Sequence, residues 1–389
     1  MLRTSIRLIA VFFLAFVFHA CKKDEVISPV EEKTFTIDPE FEKELFRQNI
    51  DNTLNGSIRD SEMKKIESLS LRGLGRIKTL KGIEHFENLK SLSIFDVKID
   101  SLDLSKNAKL EYLYCRTIGI EGGTPSLVYL NVKNCKALRY LDCSYNLLSE
   151  LDVTGNPALT FLAFSVNHNI KEINLSANVA LDTIECSLLP NLTKLDVSKN
   201  TRLSTINSQG SSIQSLDLST LANLKALDVR FSSVSEVKFK NAAFLEELLI
   251  TGSKVTFPDP AMFSKLKMLY FESGQFSTKL SPLPDLKTLN VSHVNAPAID
   301  LSGNKNLETL TLFESAFTDI NLTNNTNLRE LALFNLSNLK SLDLSRATNL
   351  TSFGSIENKD LKTICVSKIP DPLGLYWHKD EWSTYVICK

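Results

Sequence analysis

Nine acid or amide side chains recur at one phase of the sequence: Asp103, Asn131, Asp152, Asn174, Asp196, Asp217, Asp300, Asn321 and Asp343. Stacked carboxylates are the raw material of glycosidase acids and of metal sites. Each of these residues, however, stands one position before a Leu or Val of inward type, which makes the column part of a repeat. Carboxylates about 5 Å apart repel by roughly 0.8 kcal/mol in water, and interleaved Asn relieves part of that. The column therefore reads as solvated structure rather than as a catalytic row. A second acidic motif runs from Asp51 to Glu62 and overlays the twelve-position EF-hand loop, with Gly56 at position six, Ile58 at eight and Glu62 at twelve. Thr53 at position three and Arg59 at nine weaken it, leaving Asp51, Asn55 and Glu62 as the only calcium ligands it offers. The expectation is a tight turn with no metal.

The remaining reactive side chains do not converge. His85, His168, His293 and His378 share neither sequence neighbourhood nor repeat phase, and no H-E-x-x-H, G-x-S-x-G, C-x-x-C or phosphate-binding glycine loop occurs. No enzymatic activity and no cofactor are expected. Cys115, Cys143 and Cys186 occupy inward slots where a thiol acts as a small hydrophobe.

The elements that carry these residues follow from leucine spacing. The pattern L-x-x-L-x-L starts at Ile66, Leu89, Leu110, Leu138, Leu159, Leu181, Leu203, Leu224, Leu245, Leu266, Leu286, Leu307, Leu328 and Leu350. The step is 20 to 23 residues except for the 28 from Leu110 to Leu138, which implies a loop insertion around Ile118 to Pro125. The unit Leu138, Leu141, Cys143, Asn146, Leu148, Leu151, Val153, Asn156 repeats its own motif after ten or eleven residues, so the repeat is nested. Alternation within L-x-L points the leucines in and the intervening residues out. One turn cannot cover its own apolar face, and stacked turns bury a continuous core. About thirteen turns at the strand spacing of ~4.8 Å make a rod or shallow arc on the order of 60 Å long. Period two in the second half, x-L-D-L/V-S, predicts little helix. Asn107, Asn156, Asn178, Asn200, Asn304 and Asn325 recur at the following bend, where inward amides would satisfy backbone groups of adjacent turns; Cys135 falls in the same slot.

From Ile66 to Val366 the chain resembles the leucine-rich-repeat family, and in its nested 21-residue unit the IRREKO subtype. The resemblance implies a right-handed solenoid used for recognition, without implying a ligand. Residues 34–65 resemble the N-terminal caps of such bacterial surface proteins, with Phe41, Leu45 and Phe46 on one face of a short helix after Asp38-Pro39. Residues 361–389 resemble the end caps of similar repeat lipoproteins, in which two cysteines flank a hairpin-like tail. A Cys365–Cys388 disulfide is the implied closure in an oxidising compartment. The solenoid proper then spans 66–360.

Residues 1–20 read as a signal peptide: Arg3 and Arg7 precede an apolar run, Leu8 to Phe18, too short to span a bilayer. Phe18-His19-Ala20-Cys21 resembles a lipobox, which implies diacylation of Cys21; an ordinary secretory leader with an incidental cysteine is the alternative. Residues 21–33 form a polar tether, in which Lys22-Lys23-Asp24-Glu25 resembles the export signal of Bacteroidota-type surface lipoproteins. Exposure to the medium from a lipid anchor in the outer membrane is implied, with the periplasmic face open. Contact with membrane is expected only through that anchor. A net charge of -1 gives no footprint for nucleic acid, and a monomer is expected.

Aromatic residues at outward positions are the best functional signal: Tyr112, Tyr140 and Phe161 in one column, Tyr114 beside them with Arg116, then Tyr270, Phe313 and Phe334. No repeat consensus requires rings facing solvent, and adjacent rings form an amphipathic surface of the kind enriched at binding sites. A recognition module for a protein or glycan is the expected function. The alternatives are ring packing that only stabilises neighbouring strands and a structural role in the cell envelope.

Overall fold

The computed structural model describes residues 32–72, 75–95, 97–117, 127–255, 259–272, 279–370 and 376–388. Cys21, most of the tether and the insertion around Ile118 to Pro125 lie outside the described residues. The leucine spacing becomes one sheet of fifteen parallel strands, running from Ser68–Arg72 to Trp377–His378. Neighbouring layers pair in phase, Leu113 opposite Leu141 and Leu141 opposite Leu162, so the 28-residue step costs no register. The spacing of the leucines suggests about thirteen turns, and fifteen strands make fourteen steps; the C-terminal segment supplies the last layer itself. At ~4.8 Å per step the sheet is roughly 67 Å long.

Inward positions form continuous columns. Leu92, Leu113, Leu141, Leu162, Ile184, Ile206 and Leu227 stack in one, all buried, within a hydrophobic cluster that runs from Ile37 to Val366. Burying each such side chain contributes about 1.5–3 kcal/mol. Cys115, Cys143 and Cys186 are buried in the neighbouring column, where removal from water pushes the Cys186 thiol up to about 12. Among the described residues helix is confined to Pro39–Arg47, Asp60–Met63 and two short 3-10 turns. The opposite side of each turn pairs only in places, as in Ser101–Asp103 with Tyr129–Asn131 and Ser215–Asp217 with Glu236–Lys238.

Where the chain leaves the main sheet, one residue per layer enters the left-handed region: Tyr145, Val166, Leu188, Gly210, Phe231 and Gly252, then His293, Glu314, Asn335 and Glu357. For a non-glycine residue this costs roughly 1–2 kcal/mol. The conformation turns each N–H toward the next layer, as Val166 donates to Ser187 O at 2.9 Å and Phe231 to Thr251 O at 2.9 Å. Gly252 is required on two counts. Its φ is +72°, and a Cβ there would lie 2.4 Å from Phe231 Cδ1, because the Phe231 ring leans over it.

The six repeat asparagines are fully buried at the next bend. Asn178 Nδ2 donates to Val153 O at 2.8 Å and Asn156 O at 2.9 Å; Asn200 Nδ2 repeats this one layer on, to Leu175 O and Asn178 O. Their Oδ1 atoms find no protein donor. Cys135 imitates the ladder with one bond, Sγ to Leu104 O at 3.2 Å. A second amide row, Asn146, Asn167 and Asn358, serves the end of the main sheet in the same way.

The acid and amide column makes turns. Asp152 Oδ1 accepts the Thr154 N–H at 2.9 Å, Asn174 Oδ1 that of Ser176, Asp196 Oδ1 that of Ser198 and Asp300 Oδ1 that of Ser302. These are Asx turns, which reverse the chain after each second-side segment. The Thr154 hydroxyl and N–H hold Asp152 below the usual carboxylate range, and the Ser198 N–H and hydroxyl do the same for Asp196. Lowered carboxylates contribute stability that is present above the unfolded value near 3.9 and is lost as pH falls through the lower folded value. Thermal melts should therefore fall below about pH 4. Asp152→Asn with Asp196→Asn should flatten that fall while folding normally, since Asn already occupies the column at 131, 174 and 321. An unchanged acid profile in the double variant would remove this source.

Both caps grow from local signals. Asp38 Oδ1 accepts Glu40 N and Phe41 N, both at 3.0 Å, starting the helix before Pro39. Phe41 and Leu45 are buried, but Phe46 is 42% exposed. The expectation for Phe46 was wrong because position i+5 lies about 140° around the helix from Phe41. The helix is flanked by an antiparallel pair, Thr34–Thr36 before it and Ser57–Arg59 after it. At the other end Cys365 and Cys388 are joined, but the expected hairpin is absent. Trp377–His378 pairs parallel to Phe353–Gly354, and Thr384–Ile387 parallel to Thr363–Val366. Thr384 follows Thr363 by 21 residues, so the cap is one more turn of the coil. Asp380 closes the left-handed row with its side chain: Glu357 N donates to Oδ1 at 2.8 Å and Asn358 N to Oδ2 at 3.0 Å. Among the described residues no helix is long and apolar enough to cross a membrane.

Candidate functional site

The main sheet displays three outward columns, and every outward aromatic residue singled out from the sequence lies on them. They do not form one site. Tyr112, Tyr140 and Phe161 occupy the first column of three successive layers. Tyr140 and Phe161 stack with centroids 4.4 Å apart and planes within 3°, because parallel in-register strands set rings one layer apart. Tyr112 is 49% exposed. In the second column Tyr114 packs against Phe95 of the preceding layer at 4.6 Å. Arg116, in the third, lays its guanidinium over Tyr145 at 4.6 Å. These residues make a continuous N-terminal patch.

Phe313 and Phe334 lie seven and eight layers beyond Phe161, roughly 34 and 38 Å away at the strand spacing. Their rings are tilted with centroids 6.1 Å apart. Tyr270 sits between the two patches, its ring 5.8 Å from the Arg230 guanidinium. Arg230 is itself engaged by Asp228 through Nε to Oδ1 at 3.0 Å and Nη2 to Oδ2 at 2.7 Å.

Further residues belong to this surface. Asp142 and Glu185 stand in the second column with Ala163 between them. Asp142 is nearly buried, and its Oδ1 accepts the Ser144 N–H at 3.0 Å. Burial pushes the Glu185 carboxyl up, and the Asp142 charge adds to the shift. Burial likewise raises the Tyr140 hydroxyl, reinforced by Asp142. His293, from the left-handed row, lies between two carboxylates of adjacent layers, Nδ1 to Glu272 at 3.3 Å and Nε2 to Glu314 at 2.8 Å. Sequence spacing places Asp142 in the phase of Tyr114, and Glu185, which went unnoticed, shares that phase. It could not have placed Tyr145 or His293, which face this surface only because their backbone is left-handed.

The opposite side of the coil carries an open groove of about 730 Å³ whose lining includes Tyr129, Asn131, Glu150, Asp152 and Glu172. Its carboxylates and amides belong in part to the Asx-turn column. In the N-terminal loop, Asp51 Oδ1 takes the Thr53 N–H and Asn55 Oδ1 that of Ser57, while Glu62 accepts Asn52 Nδ2 at 2.8 Å and Arg59 N at 3.2 Å. Glu42, unnoticed in the sequence, binds Asn55 N and Gly56 N. The loop's polar atoms are thus largely spent on its own backbone. Among the described residues no group of three His, Cys, Asp or Glu is arranged to hold a metal ion.

No protein-family model matches the chain, and no curated protein matches it. Solved structures do. The functional domain of InlJ from Listeria monocytogenes, described as including a cysteine ladder, superposes with a TM-score of 0.69 at 25% identity, covering 86% of this chain and 76% of that one. The leucine-rich-repeat protein LIC12759 of Leptospira interrogans gives 0.62 at 17% identity, covering 76% and 79%. The leucine-rich-repeat domain of APL1B gives 0.52 at 16%, covering 84% and 96%. The chain is thus a leucine-rich-repeat-like β-solenoid, a scaffold for binding rather than for catalysis.

Proposed function

We propose that this chain is a surface-anchored recognition protein that holds a macromolecular ligand, protein or glycan, on the outward face of its fifteen-stranded sheet. The stacked, solvent-facing rings of the N-terminal patch carry the reading: Tyr112, Tyr140 and Phe161, with Tyr114 and Arg116 beside them. Core packing is complete beneath them, so the rings are not needed to fill it. Large amphipathic side chains on a rigid sheet lose little entropy on binding and concentrate binding energy. Phe313 and Phe334, with Tyr270 between the patches, form a second contact region that a long ligand would reach. Similarity to a bacterial InlJ domain supports a binding scaffold.

Residues 1–20 act as the leader, Cys21 as the lipidated residue and residues 21–33 as the tether of an outer-membrane protein facing the medium. Residues 34–65 and 361–389 close a repeat domain of 66–360. The Bacteroidota-type export signal at Lys22-Lys23-Asp24-Glu25 and the nested 21-residue unit support this placement. Protease treatment of whole cells should degrade the protein, whereas protection would place it on the periplasmic face.

The binding reading is tested by arraying the protein on immobilised proteins and glycans, then repeating with Tyr112→Ala combined with Tyr140→Ala. Affinity for the captured ligand should fall at least about tenfold, near 1.4 kcal/mol, with circular dichroism unchanged. Equal affinity of the folded double variant would exclude the N-terminal patch as the site.

A further inference from the structure

The second outward column contains its own standard for how a carboxylate on this face is satisfied. Asp228, 9% exposed, is held by the guanidinium of Arg230, two residues further along the chain and one column over. Asp142 and Glu185 stand in that column too, but the residues two positions on are Ser144 and Ser187. Asp142 receives the Ser144 N–H, as Asp228 receives the Arg230 N–H, and the fork is missing. Neither Asp142 nor Glu185 forms an ion pair within 4.0 Å among the described residues. The nearby cation, Arg116, lies over the Tyr145 ring, and its charge only partly offsets the effect of burial and of Asp142 on the Glu185 carboxyl.

A carboxylate removed from water without a countercharge is costly, and a planar guanidinium matches it with two parallel bonds. The adjoining wall favours a polypeptide over a sugar. Sugars use ring faces, and Tyr140 and Phe161 turn a face each toward one another. The stacked faces are thus withdrawn from a sugar, while ring rims, which carry the positive edge of the quadrupole, suit the carbonyl oxygens of a polypeptide.

We propose that the second-column floor at Asp142 and Glu185 receives an arginine side chain of a partner polypeptide, seated on these carboxylates as Arg230 is seated on Asp228. This rests on the reading that the N-terminal patch is the binding face, and it names the ligand chemistry of that face. Ala163, the shortest side chain of the three successive layers, separates the two carboxylates.

The probe is the acetylated, amidated pentapeptide Gly-Phe-Arg-Phe-Gly, titrated into the whole protein and compared with its citrulline analogue, a neutral isostere. The arginine peptide should bind at least about tenfold more tightly than the citrulline peptide, with the difference shrinking as salt rises. Asp142→Asn with Glu185→Gln should abolish the difference. Ser144→Arg should also abolish it, by supplying in cis the guanidinium that Arg230 supplies to Asp228, and should leave the fold intact. Equal binding of the two peptides, absence of binding at millimolar arginine peptide, or an undiminished preference in either variant overturns the proposal. If the carboxamide variant keeps the array ligand that Tyr112→Ala with Tyr140→Ala loses, the arginine seat is wrong and the recognition face stands. If both variants keep it, the face itself is wrong.

Discussion

Replacing Cys365 and Cys388 together by alanine is expected to cost about 3 kcal/mol, the chain-entropy value for a closed loop of this size, and to cost it at one end only. The bridged residues are 23 apart, so the bond closes a single turn of the coil. That turn has a neighbour on one side alone: Thr384–Ile387 rests on Thr363–Val366, and Trp377–His378 on Phe353–Gly354. In a stack where each layer touches only its neighbours, loss of a terminal constraint stays local until the cap detaches. Hydrogen exchange should show amides of Thr363–Val366 and Thr384–Ile387 exposed in the double variant or after reduction, with Leu141, Leu162 and Ile184 protected as before. Asp380 limits the damage, because its carboxylate still caps Glu357 and Asn358. Uniform loss of protection along the coil would mean that the disulfide governs global folding instead.

Asn178→Ala should destabilise the middle of the coil by about 2–5 kcal/mol. The side chain is fully buried and donates to two carbonyls of the previous layers, Val153 O and Asn156 O. Truncation takes one of two donors from each carbonyl, since Val153 O keeps the Asn156 N–H and Asn156 O that of Leu159; each lost bond costs roughly 0.5–1.5 kcal/mol, and the space opened beside them adds to it. Asn178→Cys should lose less than the alanine variant, because Cys135 already holds this slot with one thiol bond to Leu104 O. Denaturant titration of the three proteins gives the order directly. If alanine and cysteine are equally harmful, the ladder acts through volume and not through hydrogen bonds. The unpaired Oδ1 atoms of the row make this a clean test, since no accepted bond is lost with the donor.

Much of the fold could be read from residue spacing. Leucines at a 20 to 23 residue step define layers whatever lies between them, since only an inward side chain in register with its neighbours escapes water. That logic reached the parallel sheet, the buried cysteines, the asparagine slot and the low helix content. It misjudged Phe46, where a five-residue step leaves the apolar helix face, and it expected a hairpin at the C-terminus, where the 21-residue interval from Thr363 to Thr384 in fact continues the repeat. Because the resemblance to known end caps suggested a hairpin, the repeat interval inside the cap went unread.

The outward aromatic residues were legible one by one, but their grouping was not. Spacing separates Tyr140 and Phe161, two residues after a leading leucine, from Phe313 and Phe334, six after one, but it does not show that the first pair stacks beside Tyr114 and Arg116 while the second packs at a tilt seven and eight layers away. Within the patch, the carboxylates Asp142 and Glu185 became noticeable only through their lack of a partner, which needs Asp228 and Arg230 alongside for comparison.

Sequence alone determined which side chains face inward and how often, because burial depends on periodicity, and periodicity is a property of the chain. It determined the scaffold and the residues free to vary upon it. Only the tertiary structure decided which of those free residues meet. Contacts across layers depend on backbone conformations at each bend, left-handed at Tyr145, Val166 and Leu188. They depend too on ring and guanidinium orientations that no interval between residues encodes.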